Sequence, residues 1–589
     1  MKDVISQALK QAAIESGIDI DVFAGQIANP NGGQIQLDYP ENPEHGDFSS
    51  NIAMANAKKL GVSPKVLAEK IVKALLASKT TQPDIIDSIT VAGPGFINFK
   101  IKDQVFIETV AKTMVTKSIV PEKPSKKKVM VEYTDPNPFK IFHIGHLMSN
   151  AIGESISRLI QTSGVEVVRA CYGGDVGLHV AKTIWAIQKD GGFEKKAKIS
   201  SVTEKVKWLG DMYVQGSKFD DDASIQKEIA ITNKKIFEKS DAAINKIYEE
   251  GRKWSLEYFD LIYSRLGTKF DRLFFESEVA DLGMKIVKEF SGISEPVFKV
   301  SEGAVVFPGE EYGLHTRVFV TSNGLPTYET KELGLNTRKF ELYPDLGQSV
   351  IITASEQNDY FKVLLKAFSL IDPKIAQKTK HINHGIMRFA SGKMSSRKGN
   401  IVSAESLISD VRELVQAKIS ERKFSKDEAD KVSDLIAIGA IKYTILRQSI
   451  GGDVIFDSSA SVSFEGDSGP YLQYAAVRAG AMLDKAKQEG INTLDLGTNP
   501  ALPTSVSLVE KLLTRFPDTV ERARLEYSPQ HIAGYLINLA GAFNSFYATQ
   551  QVVDVKNPLS PYYVALTQVF RQTMINGLWL LGIKVPERM

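Results

Sequence analysis

The chain contains a single cysteine, Cys171, among its 589 residues. One cysteine cannot form a disulfide within the chain, and it cannot build a zinc site made mainly of cysteines. The fold must therefore be held by packing and hydrogen bonds, as in proteins of a reducing compartment. We expect Cys171 to be buried and unreactive, and we expect no zinc.

The sequence also lacks a charge excess and a membrane-spanning segment. Lys and Arg number 72 against 70 Asp and Glu, and the net charge of +2 excludes a histone-like polycation. Nucleic-acid binding stays open, because a local basic surface such as Lys126–Lys128 is enough for it. No apolar run approaches about 18 residues, the length of a membrane span. The N-terminal residues predict an amphipathic helix rather than a secretory signal or transit peptide, so we expect a cytoplasmic protein.

Two common nucleotide-binding patterns are missing as well. The sequence has neither G-x-x-x-x-G-K-[ST] nor G-x-G-x-x-G, which counts against a P-loop ATPase and a dinucleotide enzyme. Internal repeats and low-complexity tracts are also lacking. Any nucleotide chemistry must therefore rest on other motifs.

The chain divides into three parts by pattern. Residues 1 to about 115 mix helical patterns with a strand-like end, and the Pro/Lys-rich stretch 120–128 predicts a linker. From VMVEY (129–133) onward, short apolar strands such as KVSEGAVVF, HTRVFVTS and QSVIITAS alternate with helical segments. Residues 201–264 are charged and helical and predict an insertion, and helical periodicity dominates from about 455. The expected architecture is a multidomain α/β protein with a mainly parallel sheet.

The segment TDPNPFKIFHIGHLMSN follows the VMVEY strand and carries His143, Gly145 and His146. Pro136 and Pro138 predict an extended loop, with a helix beginning after His146. A strand, a loop and a helix N-terminus form the nucleotide-binding edge of a doubly wound sheet. Gly145 lets a base or ribose come close, and both imidazoles can donate hydrogen bonds to a phosphate. A His-x-x-His pair alone is more typical of ordinary internal histidines or of a metal site, so the preceding strand and turn carry the argument.

A second segment, HGIMRFASGKMSSRKGN, lies about 250 residues later. Glycines flank a short run of cations and hydroxyls, which suits a loop that binds a polyphosphate. Read alone, such a loop is more often a solvated basic turn. The residues concerned are Lys393, Ser395, Ser396, Arg397 and Lys398.

Together the two segments resemble the HIGH and KMSKS motifs of class I aminoacyl-tRNA synthetases. The resemblance implies a Rossmann-like catalytic domain that uses ATP with Mg²⁺, in which His143 and His146 polarise the α-phosphate and Lys393 binds the pyrophosphate end. The second motif departs from the family, because Ser396 stands where its second lysine would be. We propose that Lys140, with Arg397 or Lys398, supplies the missing charge. The implied ATP-binding residues are Gly145, His143, His146, Lys393, Ser395, Ser396 and Arg397.

A site for the planar guanidinium of arginine needs carboxylates and well-placed acceptors. The segments VEYTDPNPFKIFHIGHL, GLPTYETKELG and ITASEQNDYF resemble the arginine pocket of arginyl-tRNA synthetases. The resemblance implies that Glu132 and Glu332 face the guanidinium, although relatives more often have Asp at the second position. It also implies that Tyr328, four residues before Glu332 on one helix face, packs along the substrate. Asn137 and Gln357 would hold its α-amino and carboxylate end.

The two ends of the chain resemble the RNA-binding domains of the same family. GPGFINF is similar to the end of an α+β N-terminal domain that touches the tRNA D-loop, and FEGDSGPYLQYAAVR with LAGAFNSFY is similar to an all-α anticodon-binding domain. The resemblance places RNA contacts at Phe96, Asn98, Tyr471, Tyr474, Arg478, Tyr547 and Arg571. GGDVGLH (173–179) matches too and places Asp175 and His179 in the catalytic cleft without a role.

The expected domains are 1–118 for tRNA recognition, 125–400 for catalysis with an insertion at about 190–280, a connecting segment 401–460, and a DALR-type anticodon-binding domain 461–589. The expected partners are tRNA(Arg), L-arginine and ATP, and we expect a monomer with no membrane contact. Three alternatives stay open: a class I synthetase for another amino acid, a non-catalytic RNA-binding paralogue, and a small-molecule adenylating ligase. The single cysteine argues against a cysteinyl enzyme, and the acidic pocket residues argue against a glutamyl enzyme. The intact histidines and Lys393 argue against a non-catalytic paralogue, and the long helical C-terminus argues against a small-molecule ligase.

Overall fold

Helices and strands follow the apolar periodicity along most of the chain. The computed structural model describes residues 1–19, 35, 37–77, 84–113, 125–193, 199, 201–390, 402–491 and 501–589. Across these ranges, no helix is both long and apolar enough to cross a membrane.

The N-terminal segment forms a three-stranded antiparallel sheet, in the order β1-β3-β2, packed against helices. Its core joins Ile5 and Leu9 of the first helix to Ile71 of the third and Phe99 of the central strand. The elements are α1 (Lys2–Glu15), β1 (Phe48–Ser50), α2 (Ile52–Ala57), α3 (Pro64–Ala77), β2 (Ile86–Ala92), β3 (Phe96–Ile101) and α4 (Asp103–Thr113).

The central segment contains the elements of the predicted α/β domain. Its first half comprises β4 (Ser125–Glu132), α5 (Ile144–Gln161), β5 (Val165–Gly173), α6 (Leu178–Lys189), α7 (Val202–Ser217), α8 (Ala223–Glu238), α9 (Ala242–Leu266), β6 (Arg272–Phe275) and α10 (Glu276–Ser291). Its second half comprises β7 (Lys299–Ser301), β8 (Ala304–Phe307), β9 (Arg317–Val320), α11 (Tyr328–Leu342), β10 (Leu346–Ala354), α12 (Asn358–Ile371), α13 (Pro373–Lys378), β11 (Thr379–His384), β12 (Met387–Phe389), α14 (Ala404–Ile419), α15 (Lys426–Leu446), β13 (Val454–Phe456) and α16 (Ser458–Ser461).

The principal sheet has five strands in the order β11-β10-β4-β5-β6, and every neighbouring pair is parallel. The chain runs outward from β4 to β5 and β6 on one side, and later builds β10 and β11 on the other. The strand order therefore reverses between β4 and β10. Doubly wound sheets bind their ligands beyond the carboxyl ends of the strands at this point, so the segments after β4 and β10 are where a site is expected.

The C-terminal segment consists of helices among the described residues. They are α17 (Gly469–Gln488), α18 (Leu508–Glu526), α19 (Gln530–Thr549) and α20 (Ser560–Leu580). Buried aromatic residues join the last two, with the rings of Phe543 and Phe570 stacked 3.8 Å apart.

The chain divides into two compact units, and the C-terminal helices contribute to both. The first unit comprises 1–117, 479–518 and 538–573, and the second comprises 118–478, 519–537 and 574–589. Within the first, Lys511 pairs with the buried Asp47 at 2.8 Å. Within the second, Ser155 and Arg158 on α5 donate hydrogen bonds to the carbonyls of Leu580 and Trp579, at 2.8 and 2.7 Å.

Three sequence predictions need correction. The linker predicted at 120–128 is wrong from Ser125 onward, because β4 begins there and Lys128 pairs with Asp345 and Glu166. The strands in KVSEGAVVF and HTRVFVTS lie outside the parallel sheet and form a separate antiparallel sheet, in the order β7-β8-β9. Helix α5 begins at Ile144, inside the His-x-x-His pair rather than after it.

Candidate functional site

The loop between β4 and α5 has an unusual backbone. Thr134, Asp135 and Phe139 adopt positive φ angles of 81°, 45° and 68°, which residues other than glycine rarely adopt. The extended loop predicted from the prolines is therefore wrong. Hydrogen bonds from the surrounding fold hold this shape: Thr134 N donates to Ser149 Oγ at 2.9 Å, and Phe139 N donates to Ser255 Oγ at 3.0 Å. Strain of this kind concentrates at functional sites, where packing over-determines the conformation.

The two histidines cap the N-terminus of α5. Gly145 N donates to Nδ1 of His143 at 3.1 Å, and the backbone N of His143 donates to Nδ1 of His146 at 3.2 Å. The rings stack with centroids 3.6 Å apart. Burial lowers the pKa of both imidazoles, and His143 and Lys140 lower that of His146 further. Both rings are therefore neutral near pH 7, and because each Nδ1 accepts a hydrogen bond, each Nε2 carries the proton and can donate.

The residues predicted from the second motif, Lys393, Ser395, Ser396, Arg397 and Lys398, lie outside the described residues. The described residues begin again at Val402, whose carbonyl accepts a hydrogen bond from Ile144 N at 3.2 Å. Ala404 N donates to the carbonyl of Phe142 at 2.9 Å, and Ser403 forms a β-bridge with His143. The segment that follows the second motif is therefore hydrogen-bonded directly to the first.

A cluster of buried acidic side chains lies beyond the end of β4. Glu132, the last residue of β4, and Glu332 on α11 are both almost fully buried. Lys339 Nζ lies 2.7 Å from Glu132 Oε2, in an ion pair whose angles do not make a hydrogen bond. Glu332 Oε1 accepts a hydrogen bond from the Asn336 amide at 2.9 Å. Burial and then the charge of Glu132 raise the pKa of Glu332, so the two carboxylates predicted to act together lie close to each other in one buried cluster.

Sequence analysis missed Glu276, a third buried carboxylate in this cluster. It begins α10 directly after β6, and its Oε2 lies 2.5 Å from Lys331 Nζ. Burial raises its pKa to about 7. A Cβ at Gly174 would come within 2.5 Å of Asn137 Oδ1 and 3.3 Å of Glu276 Oε1. Its position straight after a strand of the parallel sheet was the available signal.

Two neutral side chains lie near these buried carboxylates. The hydroxyl of Tyr172 is buried and, among the described residues, has no hydrogen-bond partner. Burial, followed by the charges of Glu276 and Glu332, raises the pKa of this hydroxyl. Asn137 is anchored through its Oδ1, which accepts from Gly174 N at 2.9 Å, so its amide NH₂ remains available as a donor.

The remaining predicted pocket residues lie at the rim. Tyr328 and Glu332 are four residues apart on α11 as predicted, but Tyr328 is 60% exposed and Glu332 only 5%. Tyr328 begins the helix, and Lys331 lies over its ring at 4.3 Å. Gln357 is exposed at the start of α12, beyond the end of β10. Tyr328 and Gln357 are thus much more exposed than the two carboxylates.

Asp175 and His179 have supporting contacts. Asp175 is fully buried and accepts hydrogen bonds from Tyr248 at 2.8 Å, Arg252 at 3.0 Å and the hydroxyl of Ser277 at 2.7 Å. His179 Nε2 lies 2.8 Å from the carbonyl of Gly174, and burial lowers its pKa to about 4. Asp175 therefore ties α9 to the start of α10 next to Glu276.

The residues predicted to contact RNA differ in their surroundings. Phe96 is exposed at the start of β3, whereas Asn98 is buried and its Oδ1 accepts from Ser49 Oγ at 2.7 Å. Tyr547 is exposed on α19. Tyr471, Tyr474 and Arg478 on α17 are partly buried, as is Arg571 on α20. An RNA contact by Asn98 would require its buried side chain to become exposed.

Among the described residues, no group of three or more His, Cys, Asp or Glu side chains is arranged to hold a metal ion. Cys171 is buried, and burial raises the pKa of its thiol. Thiol reactivity requires the thiolate, so this cysteine is unreactive as predicted.

Family models match the chain over nearly its whole length. Residues 109–458 match the model described as "tRNA synthetases class I (R), catalytic domain". Residues 1–101 match "Arginyl tRNA synthetase N terminal domain", and residues 472–589 match "DALR anticodon binding domain".

Individual proteins are similar over the same length. The chain is 31% identical to "Arginine--tRNA ligase" of Treponema denticola, covering 94% of this chain and 95% of that protein. It is 29% identical to the protein of that name from Fusobacterium nucleatum, with 97% and 98% covered. The fold matches the solved structure of Thermus thermophilus arginyl-tRNA synthetase over 100% of both chains, with a TM-score of 0.77 at 22% identity.

Proposed function

The chain belongs to the arginyl-tRNA synthetase family, and from this premise we propose which of its residues bind arginine and which handle ATP. Its activity is the ATP-dependent attachment of L-arginine to tRNA(Arg) through arginyl-adenylate, with release of AMP and pyrophosphate. The observation that supports the residue assignment best is the buried acidic cluster beyond β4, which we assign as the arginine cavity. It lies beside the neutral histidine pair at the start of the very next helix.

The cavity suits a guanidinium because its carboxylates outnumber its ammonium groups. Glu132 and Glu276 have lysine partners, whereas Glu332 has only a neutral amide partner among the described residues. An unpaired buried charge is costly, so the cavity gains from a cation that also offers several donors. We assign the guanidinium to Glu132 and Glu332, the length of the substrate to Tyr328, and its α-amino and carboxylate end to Asn137 and Gln357.

The ATP phosphates are assigned to the start of α5. The Nε2–H groups of His143 and His146 would donate to the α-phosphate as the arginine carboxylate attacks it. Gly145, proposed as an ATP-binding residue, leaves room for the His143 ring, since a Cβ there would lie 2.9 Å from His143 Cε1. Lys393, Ser395, Ser396 and Arg397 would bind the pyrophosphate end, and ATP would enter as its Mg²⁺ complex. The ribose hydroxyl of the tRNA then takes the arginyl group. These residues contribute by positioning and electrostatics.

The tRNA would be bound by domains 1–118 and 461–589. In the sequence, these domains precede and follow the catalytic residues 125–400 and the connector 401–460. Phe96 is the strongest RNA candidate in the first, because an exposed aromatic ring can stack on an unpaired base. The others proposed are Asn98, Tyr471, Tyr474, Arg478, Tyr547 and Arg571. We further propose that the enzyme acts as a monomer in the cytoplasm.

Aminoacylation of total tRNA with each amino acid in turn tests the assignment. Arginine should be the only amino acid that is attached at a substantial rate, and only to tRNA(Arg). Attachment of another amino acid would identify a different class I synthetase. Failure to form any aminoacyl-tRNA, with the protein folded, would favour a non-catalytic RNA-binding protein.

Lys140 should matter for activation rather than for tRNA binding. Its ammonium group lies over the Tyr213 ring at 4.9 Å, and its positive charge contributes to lowering the pKa of both histidines. We expect Lys140→Ala to slow single-turnover adenylate formation while the Kd for tRNA stays unchanged, and Lys140→Arg to retain most of the rate. An unchanged activation rate in Lys140→Ala would remove Lys140 from the ATP site.

The arginine KM should fall as the pH rises from about 6.5 to 8. Burial raises the pKa of Glu332 to about 8. Below that pH a proton neutralises the carboxylate, and each further unit lowers its ionised fraction roughly tenfold. The guanidinium then loses the charged Glu332 carboxylate as its partner. Above the pKa, Glu332 is already ionised, so the KM falls no further. The KM of Glu332→Gln should vary less with pH, keeping only the change near pH 7 that comes from Glu276, whose pKa burial raises to about 7. A wild-type KM that varies no more than that of the variant would contradict the titration.

A further inference from the structure

Helix α11 carries three buried polar side chains, and they connect Glu332 to Glu132, the two carboxylates assigned to the guanidinium. They are Glu332, Asn336 and Lys339, spaced four and three residues apart, so they share one face of the helix. Asn336 donates to Glu332 Oε1 at 2.9 Å, and Lys339 Nζ lies 3.5 Å from Asn336 Oδ1 and 2.7 Å from Glu132 Oε2. The chain Glu132–Lys339–Asn336–Glu332 is thus continuous.

Lys339 is fully buried, which is rare for a lysine and costly without a partner. Its position decides how many positive charges the cavity requires. With Lys339, the pair Glu132 and Glu332 carries one uncompensated negative charge when both carboxylates are ionised; without it, the ionised pair would carry two. Glu276 does not change this count, because Lys331 balances it. Asp135 also interacts with Glu132, Lys339 and Glu332, but burial and then the charge of Glu132 raise its pKa and so favour its neutral form.

We propose that Lys339 is a specificity-determining positioning residue that balances Glu132, so that the cavity accepts one monocationic side chain. This inference rests on the proposed arginine site and assigns it a charge requirement. A neutral analogue of arginine, such as citrulline, would leave the excess negative charge unpaired. Discrimination against citrulline is therefore set by Lys339 together with the two carboxylates.

Three variants test the charge count: Glu132→Gln, Lys339→Met and the double variant. Glu132→Gln leaves Lys339 facing the guanidinium in a cavity with no net charge, and Lys339→Met leaves two uncompensated carboxylates. The double variant restores one negative charge, on Glu332. Replacing both members of a buried pair is far less harmful than replacing one.

The readouts are the arginine KM and kcat in tRNA charging, and inhibition by citrulline. We expect each single variant to raise the arginine KM roughly 100-fold or more, as for loss of one buried charge partner. The double variant should have a KM at least roughly tenfold below that of Glu132→Gln, by the same reasoning. Citrulline should compete best, relative to arginine, in Glu132→Gln. Should Lys339→Met not fold, Glu132→Gln and the double variant still give the comparison.

Two outcomes would overturn the proposal. A double variant no better than Glu132→Gln would mean that Glu132 acts on the substrate independently of Lys339. A Lys339→Met variant with a lower melting temperature but an arginine KM within about threefold of wild type would show that Lys339 only supports the fold. Both outcomes leave the arginine site standing as long as Glu332→Gln impairs arginine binding, so the two proposals can fail separately.

Discussion

Glu332→Gln is expected to raise the arginine KM by about two to three orders of magnitude, with little change in the KM for ATP. Glu332 is 5% exposed, and among the described residues the only hydrogen-bond partner of its carboxylate is the Asn336 amide, so a glutamine fits without opening the fold. Removing one partner of a buried charge pair typically costs about 3–5 kcal/mol, and the lower part of that span, about 3–4 kcal/mol, corresponds to the expected increase. Steady-state charging of tRNA(Arg) at varied arginine concentration measures it.

Two matched variants distinguish the effect of losing the Glu332 charge from the effect of altering helix α11. Glu332→Asp keeps the charge and should remain within about tenfold of wild type, since only the reach of the side chain changes and the pairing persists. Glu341→Gln, an exposed position on the same helix that pairs with Arg338 at 2.9 Å, should leave the KM unchanged because surface pairs contribute little. A near-normal KM for Glu332→Gln would move Glu332 out of the arginine pocket.

The sequence was most informative where the chemistry is local. Glu132, Asn137 and the histidines lie within fifteen residues, between a strand and a helix, and that pattern predicted the edge of the sheet on which they lie. The acid at 332 could be proposed only through resemblance, because nothing in its own segment shows that α11 packs beside the end of β4. The reversal of strand order at β4 and β10 brings these segments together.

The remaining features depend on contacts across the fold. Lys339 is a lysine in a charged helical segment, TKELGLNTRKFEL, where a solvent-facing position is the ordinary expectation. Only its ion pair with Glu132, some 200 residues earlier in the chain, reveals its burial. The positive φ angles of Thr134 and Phe139 likewise rest on hydrogen bonds to Ser149 and Ser255 on other elements. No local propensity favours a β-branched residue in that conformation.

Replacing either histidine should slow adenylate formation roughly 100- to 1000-fold, the cost typical of one lost donor to developing negative charge. The difficulty is that both rings also cap α5, so an alanine would confound catalysis with helix stability. Asparagine is among the best N-cap residues, and glutamine at the third helical position can accept from the N-cap backbone. His143→Asn and His146→Gln therefore keep the cap and replace the imidazole Nε2–H by an amide NH₂ at a different position.

The two substitutions allow the roles to be measured separately. The melting temperatures of His143→Asn and His146→Gln should stay close to wild type, whereas His146→Ala, which loses the acceptor for His143 N, should melt lower. The single-turnover rate of arginyl-adenylate formation should fall in all three, and the Kd for arginine should not change. The loss of rate would then be due to the loss of the imidazole Nε2–H group and not to the loss of the helix cap. If His146→Gln activated arginine within about threefold of the wild-type rate, the capping hydrogen bond would be the whole role of that ring, and the phosphate contact would belong to His143 alone.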